Sequence, residues 1–176
     1  MRKLKNEELN RLSPEQFRSA EKTPLVLVLD NVRSLLNVGS VFRTCDAFRI
    51  KALFLCGITG QPPDREIQKT ALGATETVEW KYFPSTALAL DHLKSEGVRV
   101  YALEQAERAV PLNLFSPPSG ETMALVLGNE VKGVEQAIID HCEGVIEIPQ
   151  VGMKHSLNVA VSAGIVAWDL FLKMKK

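Results

Sequence analysis

The apolar positions of this chain change their period along its length, and the changes mark its elements. Leu25-Val26-Leu27-Val28-Leu29 is apolar at every position, which suits a strand covered on both faces in a parallel sheet better than a strand with one wet face. Met123–Leu127 has the same character. Shorter apolar stretches over 52–56, 98–103 and 145–148 predict further strands, and 77–80 reads as extended. Helical patterns fall between them at about 39–48, 65–72, 85–96 (closed by Gly97) and 134–142, and a long, largely apolar helix runs from Ser156 to about Leu172. The first two dozen residues are polar and helical, with Ser13-Pro14-Glu15-Gln16 forming a capping-box pattern. Strands alternating with helices predict an α/β fold: a mostly parallel sheet flanked by helices, with right-handed crossovers. The expected organisation is an N-terminal helical extension over 1–23 and one domain over 24–176, with no internal repeat, low-complexity tract or linker.

Composition narrows the class. With 176 residues, 45% hydrophobic and 24% charged, the chain buries a core unaided and is not disordered. No apolar run approaches the roughly 18 residues of a membrane span, and the charged start argues against a secretory signal, so a cytoplasmic protein without a membrane partner is expected. Cys45, Cys56 and Cys142 are odd in number, far apart and without a CxxC pair, a pattern of reduced thiols rather than of disulfides or zinc. Net charge is zero, which alone argues mildly against nucleic acid. Its distribution changes that picture. Residues 31–55 set Arg33, Arg43, Arg49 and Lys51 against Asp46, a balance of +3, whereas 119–147 carry −5. One basic face on a neutral molecule is possible, although scattered solvated charge fits the same counts.

In parallel sheets ligands bind beyond the carboxyl ends of the strands, which singles out the loops 30–38, 104–116, 128–133 and 149–155. They contain no GxGxxG, GxxxxGK[ST] or GxSxG. His92, His141 and His155 lack ligand spacing with each other or with cysteine, so no metal site is expected. His155 beside Ser156 is a poor nucleophile–base pair, because adjacent side chains seldom face each other.

Three segments carry the remaining chemistry. In 29–48 a strand enters a polar turn with Asn31 and Asn37; Gly39-Ser40 is expected to open a helix, placing Arg43 in its first turn, against the unfavourable end of the dipole. That position suggests a task, although an arginine pairing with a surface carboxylate reads equally well. In 123–134, Gly128 permits close backbone approach, and Glu130 is either a site carboxylate or a dipole-favoured acid before a helix. In 146–165, Ser156 is a natural N-cap, and Asn158 brings an amide that needs partners to an apolar helix start.

Together the segments resemble the SpoU (TrmH) family of RNA ribose methyltransferases, within the SPOUT class. The matching residues are Asn37-x-Gly39-Ser40-x-x-Arg43-Thr44, then Leu127-Gly128-Asn129-Glu130-x-x-Gly133, then Ile148-Pro149 with Ser156-Leu157-Asn158-Val159. They stand in family order, and the resemblance spans about 24–172. It implies a C-terminal trefoil knot, a homodimer and S-adenosylmethionine as cofactor, without a metal. Ala102, Leu103, Leu127, Gly128, Ile148, Ser156 and Leu157 would hold the cofactor. Arg43, Asn37, Glu130, Ser156 and Asn158 would form the catalytic set, and Arg33, Arg43 and Arg49 would meet RNA. Arg43 would activate the 2′-hydroxyl or, since a guanidinium is too basic to accept a proton readily, grip a phosphate and stabilise a developing alkoxide. The implied substrate is tRNA or rRNA, with the short chain favouring tRNA. The alternatives are a non-catalytic module binding the same ligands, a SPOUT base methylase, and a flavodoxin-like small-molecule enzyme.

Overall fold

The computed structural model describes residues 1–153 and 156–175. Its strands are β1 (Thr23–Asp30), β2 (Ile50–Cys56), β3 (Trp80–Phe83), β4 (Arg99–Leu103), β5 (Val110–Pro111), β6 (Met123–Leu127) and β7 (Gly144–Glu147). They form one sheet in the order β3-β2-β1-β6-β4-β7-β5, and every pairing is parallel. The helices are α1 (Pro14–Ser19), α2 (Leu35–Ala47), α3 (Arg65–Ala71), α4 (Thr86–Ser95), α5 (Gln136–Ile139) and α6 (Val159–Met174).

The uninterrupted apolar runs are the central strands, buried on both faces. Pleating sends Leu25, Leu27 and Leu29 of β1 into one core with Val38 and Phe42 of α2, Ile67 of α3 and Val166 and Leu170 of α6. Val26 and Val28 enter a second core with Leu90 and Leu93 of α4. Each such side chain contributes roughly 1.5–3 kcal/mol when fully buried, so one-sided polarity in these strands would cost the fold a layer. Among the described residues no helix is long and apolar enough to cross a membrane.

Several expectations shift. The N-terminal segment is only partly helical: a 3-10 turn at Asn6–Leu9 and the six residues of α1, which the expected Ser13 capping box does open. β3 begins at Trp80, not at residue 77, because Trp80 is where the register with Leu53 of β2 starts. Helix α2 starts at Leu35, capped by Ser34, whose hydroxyl accepts the Asn37 N–H. Gly39 therefore does not open the helix. A Cβ there would lie 2.2 Å from both Ile67 O and Thr70 Oγ1; glycine lets α3 cross against α2. Arg43 consequently sits well inside α2, away from the positive end of the dipole, and the strain expected of it is absent. Helix α6 starts at Val159 and its cap is Asn158, not Ser156: the Asn158 side chain accepts from Ala160 N and Val161 N.

Candidate functional site

A cavity of about 470 Å³ opens at the carboxyl ends of β4, β6 and β7. Leu103, Leu127, Gly128, Ile148, Ser156 and Leu157 line it, as do Glu130 and Asn158. Ala102 does not: the pleat turns it into the α4-side core, fully buried. His155 lies outside the described residues.

The turn after β6 owes its shape to two glycines. Asn129 and Gly133 pair through both backbone hydrogen bonds, at 3.0 and 2.9 Å. A Cβ on Gly128 would lie 2.2–2.5 Å from the backbone of Gly133 and Val134, and one on Gly133 would lie 2.1 Å from Glu104 Oε2. Glu104 occupies that space because its carboxylate accepts the Val134 N–H at 3.0 Å. Asn129 folds the turn from within, its Oδ1 accepting from Val131 N and Lys132 N, and ties it to the loop after β1 by donating Nδ2–H to Asn31 O at 2.7 Å.

Glu130 joins the motifs. Its carboxylate accepts the N–H groups of Arg33 (3.0 Å) and Ser34 (3.1 Å) and the Asn37 amide (3.1 Å). Asn158 in turn donates to Asn37 Oδ1 at 3.2 Å. Partial burial opposes the charge on Glu130, but these donors outweigh it and hold the carboxyl below its usual value. Behind the loops, the buried Asp30 accepts from Thr86 Oγ1 (2.5 Å) and Asn31 Nδ2 (2.9 Å). Burial raises its pKa against the pull of those donors.

Arg43 is elsewhere. It follows Asn37 by six residues, about 9 Å along the helix and a third of a turn round it, and does not line this cavity. It lines a separate cavity of about 450 Å³ with Ser40, Thr44, Phe48, Lys69 and Thr70. The three expected RNA-binding arginines share no face. Arg33 lies beside Glu130 at the carboxyl end of the sheet, and Arg43 is exposed on α2. Arg49 lies at the opposite end of the sheet, near Lys22 and Lys175. Burial pushes the thiol of Cys56 up to about 12 and that of Cys142 to about 11, which leaves both poor nucleophiles. Among the described residues no three His, Cys, Asp or Glu side chains are placed to hold a metal ion.

Sequence reasoning assigned no role to Glu104 or Lys69: the first stood in a loop already singled out, and the second opens Lys69-Thr-Ala-Leu-Gly-Ala74, a stretch that also resembles the family's sequences but carried no expected site residue.

The model described as the SpoU rRNA Methylase family matches residues 24–168. Over 143 residues the chain is 31% identical to a 23S rRNA (guanosine-2'-O-)-methyltransferase, RlmB, of Neisseria meningitidis serogroup B, covering 81% of this chain and 56% of the relative. The chain thus spans little more than half the length of that curated relative. It superposes on the TrmH/SpoU tRNA modifying enzyme of A. aeolicus with a TM-score of 0.78 at 26% identity, over 91% of this chain and 79% of that one. An AdoMet-bound rRNA methyltransferase from Sinorhizobium meliloti gives a TM-score of 0.79 at 26% identity, over 91% and 60%. The cavity at the strand ends, the three motifs that meet there and a match across most of its length agree: the chain belongs to the SpoU rRNA methylase family.

Proposed function

We propose that the chain is an S-adenosylmethionine-dependent methyltransferase acting on a ribose 2′-hydroxyl of tRNA or rRNA, and that it works as a homodimer in the cytosol, where its free thiols stay reduced. The observation that carries this reading is that the second and third motifs line one cavity and that Asn37 of the first is hydrogen-bonded to both, to Glu130 and to Asn158. The residues fit the cofactor. The volume lies within the roughly 300–1,000 Å³ of small-molecule sites; Leu103, Leu127, Ile148 and Leu157 suit an adenine, and Glu104, Glu130 and Lys132 give the lining charges of both signs, which suit a ligand that carries a sulfonium, an amine and a carboxylate. Bound there, S-adenosylmethionine supplies an already electrophilic methyl group.

What remains for the protein is alignment of the ribose oxygen and management of its proton, and orientation alone can lower a barrier by on the order of 7–11 kcal/mol. Arg43 cannot serve the cavity of its own subunit, so a second copy delivers it. A surface for that copy is at hand. Val161, Ile165, Trp168 and Leu172 form an exposed apolar stripe on α6, with Trp168 52% exposed. Trp168 packs on Phe48, which lines the Arg43 cavity. A stripe of this kind on a surface helix marks an interaction site, and two-fold pairing brings one subunit's α2 to its neighbour. Arg43 then grips the substrate phosphate and stabilises charge on the ribose oxygen, while Asn37, Glu130 and Asn158 hold the loops and Ser156 faces the substrate side. The return of β6 between β1 and β4, with β7 beyond, supports a trefoil knot in the C-terminal part.

The test is incubation with total RNA and labelled S-adenosylmethionine, followed by nuclease digestion and mass spectrometry. Label on the ribose is expected; label on a base would make the protein a base methylase, and no label would leave a binding module.

A further inference from the structure

The cavity around Arg43 offers more than one arginine. Lys69 of α3 lines it too, brought there by the close crossing that Gly39 permits. No carboxylate lines it among the described residues; Glu66, one turn earlier on α3, holds the Lys69 ammonium at 2.5 Å at the exposed surface. Arg43 makes no hydrogen bond or ion pair among the described residues. The hydroxyls are all turned inward as donors: Ser40 and Thr70 give their protons to Leu36 O at 2.8 and 2.9 Å, and Thr44 gives its proton to Ser40 O at 3.1 Å. Their free lone pairs are what the cavity presents. Two cations beside hydroxyl acceptors match a phosphodiester next to a sugar hydroxyl that can donate, which is RNA backbone rather than DNA.

We propose that this α2–α3 groove binds the RNA backbone flanking the methylated nucleotide, with Lys69 as a substrate-binding residue beside Arg43. The proposal rests on the methyltransferase reading above and adds to it a place for the strand. The groove borders the apolar stripe through Phe48, so a strand lying in it runs along the rim of the paired subunits toward the neighbouring cofactor cavity. Glu66 keeps the groove from binding small anions strongly. A polyanion displaces it, because each phosphate neutralised also releases counterions.

The deciding experiment is steady-state methyl transfer against RNA concentration, with RNA binding measured over a range of salt, for Lys69→Gln and Lys69→Arg. Lys69→Gln is expected to raise KM for RNA roughly tenfold and to flatten the log–log salt dependence by about one unit. kcat, S-adenosylmethionine affinity and melting temperature should stay unchanged, and Lys69→Arg should restore most of the lost affinity. A Lys69→Gln protein with wild-type KM and wild-type salt slope overturns the proposal. If instead the wild-type protein methylates no RNA while binding the cofactor, the methyltransferase reading fails, and the groove is decided by binding alone: weaker RNA binding and a flatter salt slope in Lys69→Gln uphold it, and equal values overturn it.

Discussion

The two cavities of this molecule are built on opposite plans. Around the cavity at the strand ends, polar groups from distant loops are already satisfied by each other: Glu130 by three donors, Asn37 by Asn158, Glu104 by Val134. In the α2–α3 groove the hydroxyls are satisfied within the helices, while Arg43 stands without a partner and Lys69 holds only a surface acid. The first arrangement costs little reorganisation when a compact cofactor arrives. The second leaves the Arg43 charge uncompensated until a polyanion supplies the compensation. In the proposed function, binding of cofactor and of substrate is thus divided between regions of the same helix, with Asn37 serving one and Arg43 the other.

The division breaks most visibly at Arg43. Arg43→Ala is expected to lower kcat by at least a hundredfold, in line with losses on removing a charge stabiliser, while calorimetry gives S-adenosylmethionine affinity within a few-fold of wild type. Comparable loss of both would merge the two regions into one. Mixing sharpens the comparison further. Arg43→Ala and the cavity-blocking Leu157→Arg should each be inactive alone. Re-associated subunits should recover about a quarter of wild-type activity, because half of the random dimers are mixed and each carries one intact composite site. Mixtures that stay inactive would place Arg43 and the cofactor cavity in the same subunit.

Much of this was legible in the sequence, and the gaps have physical causes. The uninterrupted apolar run of β1 announced a buried parallel strand, and the order of strands and helices pointed to the loops that line the cavity at the strand ends. The start of α2 was misplaced because Leu35 and Leu36 look like loop residues until Ser34 is seen to cap them. A glycine that serves a helix crossing cannot be told in sequence from one that opens a helix. Residues 134–142 have a helical pattern but yield only the single turn of α5, since Glu135 stays extended as its N-cap and the chain closes after it in three-residue turns, His141 N–H to Ile138 O and Cys142 N–H to Ile139 O. Position in a motif gave Arg43 its expected role; only the helix geometry shows that it lines a different cavity of its own subunit.

A smaller effect is expected at the lock itself. Glu130→Gln keeps one acceptor oxygen for the α2 entry but loses the charge that strengthens those bonds, a change of about 1 kcal/mol at an exposed site, or roughly 2–4 °C in melting temperature for a chain of this size. The sign with pH follows from the depressed pKa of Glu130. A carboxyl held below its unfolded value stabilises the fold above that value and loses the contribution as pH falls through the folded one. The difference between wild type and Glu130→Gln in thermal melts should therefore be full at pH 7 and narrow on acidification below about pH 4. A gap that is constant with pH would show that shape, not charge, does the locking.

The smallest effect separates the groove from a merely basic surface. Glu66 engages the Lys69 ammonium across 2.5 Å, with both side chains about half exposed, and such a pair contributes under about 1 kcal/mol to stability. Glu66→Gln should leave the melting temperature unchanged and release Lys69 for RNA, lowering KM by about twofold while kcat and cofactor affinity hold. Substitution of an acid remote from the groove, such as Glu96→Gln at the end of α4 on the other face of the sheet, makes the same change in net charge and should move KM less. Equal shifts for the two variants would mean that the RNA responds to overall charge, and the contrast between a preassembled cavity and a groove awaiting its ligand would lose its second half.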